Sequence, residues 1–314
     1  MMEKKLGLAT RDVYGKTLVE LGRKNPDIVV LDADLSKSTK SYEFSKTFPE
    51  RFFNVGIMEA NLAGVASGLA ACGKIPFISS FATFLISKSY DQLRMGVAFS
   101  ELNVKVVGSH GGISVGEDGA SQMSIEDFAL TTSLPGFVVL NPSDEFCARA
   151  LVEQTAEYQG PVFMRTGRPK APIVHNAQTQ FKIGKAVRVR EGKDVSLIAT
   201  GLLVYEALAA AEELAKQGIQ ASVVDFHTIK PLDEAMLIEE AKKTGHFVVA
   251  EEHQIWGGLG SAVARFVSTR QPCRMEFVAI QDTFAESGQP DELLEKYQLT
   301  APAIIKAAKR TLGK

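Results

Sequence analysis

Short apolar runs rich in β-branched residues alternate with longer segments of helical period along the first half of the chain. Runs that are apolar throughout predict strands buried on both faces, the kind that parallel sheets contain. The predicted strands are 28–31, 76–79, 104–107 and 138–140, and the predicted helices are 11–23, 59–72, 83–100 and 143–158. This alternation predicts a parallel sheet covered by helices on both faces.

The pattern stops after the first half and then starts again. Residues 167–185 hold two prolines and several polar residues without a clear period, which predicts a linker or an irregular crossing strand. Beyond it, predicted strands and helices alternate once more, at 194–200, 202–217, 221–225, 232–243, 246–250, 290–297 and 301–312. We therefore expect two tandem parallel-sheet α/β domains, 1–175 and 190–314, with the boundary near 175–190.

Composition narrows the class of protein. The chain has 314 residues, enough for two domains, and 45% of them are hydrophobic, as in soluble globular proteins. With 35 basic and 37 acidic residues the net charge is −2, which argues against a nucleic-acid or anionic-membrane surface. Three cysteines stand far apart without CxxC spacing, and neither a signal-peptide core nor a run of about 20 apolar residues occurs. A cytoplasmic protein that does not enter membranes is expected.

Two short glycine motifs permit chemical interpretations that their surroundings do not favour. Residues 112–116, GISVG, match the G-x-S-x-G nucleophile elbow of α/β-hydrolases, but a polar loop follows where the elbow needs a helix. Residues 257–262, GGLGSA, loosely resemble a dinucleotide-binding loop, but Val263 stands where a third Gly or Ala belongs. A chance match and an ordinary helix start are the better interpretations.

The segment 110–122, HGGISVGEDGASQ, is the strongest candidate for a functional loop. Its four glycines, one histidine, two acids and one glutamine are poor material for a core, and they follow a predicted strand directly. Ligands of open α/β sheets bind outside the carboxyl ends of the strands. The sequence therefore predicts that His110 and its neighbours face a ligand.

Four motifs, in this order, resemble the transketolase family: NVGIMEAN at 54–61, FATF at 81–84, the 110–122 loop, and VVAEEH at 248–253. The resemblance covers essentially the whole chain. It corresponds to the second half of a full-length transketolase, which is the pyrimidine-binding domain followed by the C-terminal domain. It implies an enzyme of carbohydrate metabolism, as in the pentose phosphate pathway. Such an enzyme uses thiamine diphosphate to transfer a two-carbon ketol unit from a ketose phosphate to an aldose phosphate.

The resemblance assigns the aminopyrimidine ring of the cofactor to a lone acid and two aromatics. Glu59 would hydrogen-bond N1′ of the ring and favour the imino tautomer, whose 4′-nitrogen takes the proton from C2 of the thiazolium. Phe81 and Phe84 would flank the ring, and Asp34 falls on a family position near the cofactor. Without the resemblance, Glu59 would be an acid stabilised by a helix N-terminus, and the two phenylalanines would be core aromatics.

The resemblance also assigns residues to the sugar. His110 would hydrogen-bond the donor's hydroxyl and carbonyl oxygens, and Asp118 would bind a hydroxyl further along. Gln122 stands where many transketolases have a second histidine. Three more residues match positions that hold the sugar phosphate, whose oxygens suit guanidinium groups. They are Arg11, Ser38 and Arg165.

The family's motif for the diphosphate and Mg²⁺ does not occur in this sequence. The resemblance requires Gly-Asp-Gly with an Asn downstream, and no Gly-Asp-Gly occurs among the 314 residues. We therefore expect an N-terminal partner subunit whose diphosphate-binding domain holds Mg²⁺ or Ca²⁺, in a heterotetramer with two copies of each chain. This chain alone is expected to self-associate and to be inactive.

Other interpretations stay open. The β subunit of a 2-oxo acid dehydrogenase has the same two domains and a similar length, but there we would expect a His-rich segment in place of 112–119. A deoxyxylulose-phosphate synthase shares parts of the pattern but is longer than this chain. A non-catalytic module of the same fold is disfavoured because Glu59, Phe81, Phe84 and His110 are all present.

Overall fold

The computed structural model describes residues 4–314, which form two β-sheets with helices packed on them. The strands are β1 (Ile28–Asp32), β2 (Phe52–Asn54), β3 (Ile75–Phe81), β4 (Lys105–Ser109), β5 (Val138–Leu140), β6 (Val162–Thr166), β7 (Val187–Arg190), β8 (Val195–Ala199), β9 (Ala221–Asp225), β10 (Thr228–Lys230), β11 (His246–Gln254) and β12 (Arg274–Ile280). The helices are α1 (Thr10–Lys24), α2 (Ser36–Thr39), α3 (Tyr42–Thr47), α4 (Glu59–Ala71), α5 (Ala82–Gln92), α6 (Asp127–Thr132), α7 (Glu145–Glu157), α8 (Leu203–Lys216), α9 (Glu234–Thr244), α10 (Leu259–Arg270), α11 (Pro290–Lys296) and α12 (Ala301–Thr311). Two mainly parallel α/β sheets confirm the predicted fold class.

The first sheet has seven strands in the order β10-β5-β6-β4-β3-β1-β2, and all neighbours are parallel except β10 and β5. Strands β1 and β4 are buried along their whole length, which is why neither sequence alternates between apolar and polar residues, and β4 even includes a buried lysine, Lys105. The four strands predicted for the first half are confirmed, each with its ends within two residues of the predicted ones.

The second sheet has five strands in the order β12-β11-β8-β9-β7, and β7 is antiparallel to β9. Strand β11 continues past the predicted 246–250 through three polar residues, Glu251, Glu252 and His253, all of which are buried. The sequence pattern does not predict β7, because its residues, Val-Arg-Val-Arg, lie half-buried at the edge of the sheet.

The predicted helices are present in both halves, with one difference in form. The predicted segment 83–100 is α5 followed by a wider π-helical turn, Leu93–Ala98. The pattern does not predict α2, α3 and α6, because helices of four to six residues show too little periodicity. Among residues 4–314, no helix is long and apolar enough to cross a bilayer.

The chain runs between the sheets near the predicted boundary. Residues 167–185 contain neither a helix nor a strand of a sheet, although an isolated bridge joins Leu6 to Pro172. Further on, β10 pairs antiparallel with β5 and so adds a segment of the second half to the first sheet. The domain limits 1–175 and 190–314 stay predictions, and residues 1–3 of the first lie outside the described residues.

Candidate functional site

Four neighbouring strands of the first sheet end at one edge. Strands β6, β4, β3 and β1 lie side by side and parallel, so their carboxyl ends meet. Phe81, the last residue of β3, pairs with Ser109, the last residue of β4. His110 therefore leaves the sheet beside Phe81, at the edge where open α/β sheets bind ligands.

His110 is buried and held on three sides. Its ring stacks on Phe81 with the ring centroids 3.7 Å apart, Nε2 lies 3.1 Å from Nη1 of Arg11, and Nδ1 lies 2.9 Å from Oγ of Ser109. Arginine can only donate, so Nε2 accepts and Nδ1 carries the ring proton. Burial and, after it, the charge of Arg11 lower the pKa of His110 to about 3. The imidazole is therefore neutral near pH 7.

Three positively charged side chains, those of Arg11, Arg168 and Lys40, lie near the His110 imidazole. Nη1 of Arg11 donates to the carbonyl oxygen of Ser38 at 3.1 Å, while Nε of Arg11 is buried without a hydrogen-bond partner among the described residues. Arg168 and Lys40 lie close enough that their charges also lower the pKa of the imidazole. A group of cations beside a neutral ring suits an anionic ligand.

Arg165 lies in a different environment from Arg11. Its Nε donates to Asp127 at 2.8 Å and its Nη1 to the carbonyl oxygen of Glu252 at 2.7 Å, while Nη2 also bonds the Asp127 carboxylate. The guanidinium is thus enclosed in a buried ion pair. Arg168, which follows the end of β6, lies near Arg11 instead, and the charges of the two guanidinium groups interact. The rule that ligands bind beyond strand ends could have identified Arg168 in the segment MRTGR.

Glu59 has a buried carboxylate that the described chain leaves half-satisfied. The side chain is 3% exposed, and Oε2 lies 3.6 Å from Nζ of Lys88. Oε1 has no hydrogen-bond partner among residues 4–314. A buried acceptor without a donor costs about 1–3 kcal/mol. Oε1 therefore marks a place that suits a hydrogen-bond donor from another molecule.

A line of contacts connects Glu59 to His110. Nζ of Lys88 lies 4.5 Å from the centroid of the Phe84 ring, and this ring stacks on Phe81 at 5.8 Å with 12° between the planes. Phe81 in turn stacks on His110. The structure thus brings Glu59, both phenylalanines and His110 into one site. Sequence reasoning missed Lys88, because a single lysine on a helix is normally a solvated side chain.

The other predicted residues have weaker contacts. Asp34 is exposed just beyond β1, has a positive φ of 64°, and accepts a hydrogen bond from Asn54 at 2.9 Å. Asp118 is exposed, and its charge acts on Arg11. Gln122 is half-buried in a short 3-10 turn. The functional roles assigned to these three residues stay predictions.

The two short glycine motifs have structural explanations. Ser114 is buried and its backbone N–H bonds Glu252, so its hydroxyl is not displayed at an elbow. The backbone amides of Leu259 and Gly260 donate to Glu251, which occupies the helix N-terminus that a nucleotide phosphate would need. In the part of the chain from residue 4 onward, no group of three or more His, Cys, Asp or Glu side chains could hold a metal ion.

Similarity to known proteins identifies one family. The family model for the transketolase pyrimidine binding domain matches residues 7–173, and the model for the transketolase C-terminal domain matches residues 184–304. A protein of Methanocaldococcus jannaschii described as a putative transketolase C-terminal section is 45% identical over 300 residues, which are 94% of this chain and 94% of that protein. A protein of Clostridium sp. (strain MSTE9) described as 6-deoxy-6-sulfo-D-fructose transketolase subunit SqwH is 44% identical over 298 residues, 95% of this chain and 92% of that protein.

A solved structure described as a split gene transketolase, inactive beta4 tetramer, has a closely similar fold. It superimposes with a TM-score of 0.92 and 48% sequence identity, and the match covers 98% of this chain and 99% of that one. The two domain models match in the order in which the chain forms its two sheets. Like these relatives, which are themselves sections or subunits of transketolases, the chain belongs to the transketolase family.

Proposed function

We propose that this chain is the pyrimidine-binding subunit of a split transketolase, which transfers a two-carbon ketol unit from a ketose phosphate to an aldose phosphate. The observation that carries the proposal is the buried, unpaired Oε1 of Glu59, in contact through Lys88 and Phe84 with Phe81. A protonated ring nitrogen flanked by aromatic faces has the donor and the apolar surfaces that this arrangement suits.

The transketolase family uses thiamine diphosphate, which supplies the carbon nucleophile of the reaction when it is bound. Glu59 would accept a hydrogen bond from N1′ of its aminopyrimidine ring, and Phe81 and Phe84 would pack against the ring. Asp34 would lie near the cofactor. The diphosphate and Mg²⁺ or Ca²⁺ would be held by a partner subunit, because Gly-Asp-Gly does not occur in this sequence.

His110 is suited to hold oxygen atoms of the sugar without changing charge. Its lowered pKa, about 3, keeps the ring neutral at physiological pH, so Nε2 stays an acceptor. In this chain Nε2 accepts from Nη1 of Arg11, and a sugar hydroxyl would take the place of that donor. The stack on Phe81 fixes the ring plane beside the aromatic surface proposed for the cofactor. Asp118 and Gln122, on the same loop, would bind hydroxyls further along the sugar.

Arg11 and Arg168, together with Ser38, are proposed to bind the anionic end of the sugar. Arg168 replaces Arg165 in this role, because the donors of Arg165 are engaged by buried acceptors. Guanidinium groups bind phosphate and sulfonate oxygens through the same charge-assisted hydrogen bonds. Because one relative is described as a 6-deoxy-6-sulfo-D-fructose transketolase subunit, a sulfo-sugar is a further donor to try.

Apolar side chains beside Glu59 are exposed on the described chain. Ile57 is 72% exposed, Met58 57%, Phe53 41% and Val65 39%. Several exposed large apolar side chains within 13 residues of sequence are consistent with a surface that another chain covers. We propose that an N-terminal transketolase subunit with the diphosphate-binding domain covers them in a heterotetramer of the cytoplasm. The relative described as an inactive beta4 tetramer makes self-association of the free chain a reasonable alternative state.

Reconstitution tests the proposed function. The chain is mixed with the partner subunit, thiamine diphosphate and Mg²⁺, and ketol transfer is followed with a ketose phosphate and an aldose phosphate. Transfer by the wild-type complex, lost with Glu59→Gln and kept with Glu43→Gln at an exposed acid, is the expected result. Decarboxylation of a 2-oxo acid without ketol transfer would instead indicate a 2-oxo acid dehydrogenase subunit. The absence of both activities would indicate a non-catalytic module.

A further inference from the structure

The backbone that follows His110 packs tightly against two side chains, those of Arg165 and Glu252. His110 and Gly112 both have positive φ angles, 58° and 80°. A Cβ atom on Gly111 would overlap the side chain of Arg165, and one on Gly112 would overlap the carboxyl group of Glu252. The loop therefore takes its shape from direct backbone contact with these two residues, which only glycine permits.

Glu252 reaches this loop from the other sheet. It lies in β11 of the second sheet, is buried, and its Oε1 accepts a hydrogen bond from the backbone N–H of Ser114 at 2.5 Å. The carbonyl oxygen of Glu252 also accepts from Nη1 of Arg165 at 2.7 Å. One residue of the second half thus holds the loop amide through its side chain and Arg165 through its backbone.

Arg165, in β6 of the first sheet, also supports the loop that follows His110. Its ion pair with Asp127 fixes the guanidinium beneath Gly111, and Gly112 N–H donates to the carbonyl oxygen of Ser124 at 2.6 Å. All of these groups are buried, so each hydrogen bond lies where water cannot replace it. His110, at the start of the loop, depends on this support for its position.

We infer that Glu252 is a positioning residue for His110, and that the second domain thereby sets the geometry of the substrate end of the site. As a statement about catalysis the inference rests on the proposed function, whereas the loop contact itself does not. It gives the VVAEEH motif a role, because the buried acid of that motif reaches across to the functional loop.

Glu251 provides a matched control. It precedes Glu252 in the same strand and is also buried, but it accepts from the backbone amides of Leu259 at 2.7 Å and Gly260 at 2.8 Å, within its own half of the chain. Replacing either glutamate by alanine leaves buried amides without an acceptor. Only the change at Glu252 should alter the loop.

Amide hydrogen exchange of the full-length chain tests the contact without requiring activity. In Glu252→Ala, the peptide containing Ser114 should exchange about tenfold faster than in wild type, the effect of losing one buried hydrogen bond. In Glu251→Ala, exchange should increase at Leu259 and Gly260 and stay unchanged at Ser114. Equal exchange at Ser114 in wild type and Glu252→Ala, or an equal increase in both variants, would overturn the inference.

Kinetics of the reconstituted complex then test the role of the contact. Glu252→Ala should lower kcat/KM for the donor about tenfold or more, while Glu251→Ala stays near wild type. Glu252→Gln keeps an acceptor oxygen for the Ser114 amide, so it should restore most of the loss. If Glu252→Ala does not fold, Glu252→Asp decides, since its shorter side chain withdraws the acceptor. An inactive wild-type complex would count against the proposed function, and the exchange result would still decide the loop contact.

Discussion

The two ends of the candidate site differ in how far this chain completes them. At the substrate end, the His110 ring is stacked on Phe81, hydrogen-bonded at both nitrogens and neutral. At the cofactor end, Oε1 of Glu59 has no partner among the described residues, and Ile57 nearby is 72% exposed. This chain alone holds the His110 ring, although Nε of Arg11 beside it is also unpaired among the described residues, whereas the Glu59 end combines an unpaired oxygen with exposed apolar side chains.

This difference bears on how a chain that holds only half of a site can still fold. Nearly all buried polar groups of a stable protein have partners, so an exception such as Glu59 needs a reason. The proposed hydrogen bond from the ring nitrogen of the cofactor would supply one, because it would relieve the unfavourable free energy of the unpaired oxygen. The following predictions test the contrast between the two ends.

The largest effect is expected on ketol transfer, at the end of the site that contains Glu59. Glu59→Gln should leave the fold nearly unchanged, since among residues 4–314 Lys88 is the charged side chain that pairs with the carboxylate. Ketol transfer by the reconstituted complex should fall roughly 10²–10⁴-fold, the range for loss of an acid–base contact. Turnover is measured at saturating cofactor and partner, with the melting temperature as the control. Turnover close to wild type would exclude the proposed role of Glu59.

At the end of the site that contains His110, Arg165→Ala should lower the free energy of unfolding. The substitution leaves Asp127 buried without its counter-charge, which costs about 3–5 kcal/mol of unfolding free energy. Urea denaturation of the isolated chain measures this value. Arg168→Ala is the control, because it removes a partly exposed pair with Glu117 and one hydrogen bond to the carbonyl oxygen of Val115, which together should contribute about 1–2 kcal/mol. Equal losses in the two variants would contradict the separate roles given to the two arginines.

Arg168→Ala should change substrate binding instead. Loss of a charged contact to a phosphate or sulfonate group should raise KM about tenfold for anionic donors, with little change for an uncharged donor. Steady-state kinetics with both donors measure the ratio. Arg149→Ala, which removes a surface arginine paired with Glu20, should change neither value. The same increase for both donors would disprove the assignment of Arg168 to the anionic group.

The most gradual effect, spread over several pH units, is expected in the pH dependence of stability. His110 has a lowered pKa, about 3, so the folded chain binds fewer protons than the unfolded chain between pH 6.5 and pH 3. Its contribution to stability is full above the ordinary histidine pKa and is lost as the pH falls through this window. His110→Gln should flatten the decline by up to about 1.4 kcal/mol per pH unit. Unfolding free energies measured from pH 7 to pH 4 give both slopes, and identical slopes would show that the ring is not held neutral.

Sequence alone predicts the parts of this protein in which local pattern and burial agree. Strand β1 begins with the apolar run Ile28-Val-Val-Leu31 because both of its faces are covered, and α4 begins at Glu59 as predicted. The pattern does not predict edge strand β7 because its alternation, Val-Arg-Val-Arg, is only four residues long and all four residues are half-buried. Strand β10 is not predicted because it pairs with β5 in the other half of the chain, and a local sequence pattern carries no information about such a distant partner.

Arg165 and Arg168 show why the candidate site is harder to predict than the fold. The motif MRTGR contains both, and a one-dimensional match cannot tell which guanidinium has a buried acid beneath it. Only the packing of Asp127 against β6 assigns Arg165 to the interior and leaves Arg168 beyond the strand end. Glu252 is similar, because its contact with Ser114 crosses between two sheets and spans 138 residues of sequence.

The most direct measurement is ketol transfer by the purified chain, first alone and then with the partner subunit, at saturating thiamine diphosphate and Mg²⁺. Held only at its ring, the cofactor lacks the charge-assisted contacts to its diphosphate, which are among the strongest available to it. We therefore predict no transfer by the chain alone at any cofactor concentration, and transfer once the partner is added. Measurable transfer by the isolated 314-residue chain, in a preparation free of the partner, would contradict the conclusion that it holds only the ring-binding half of the site.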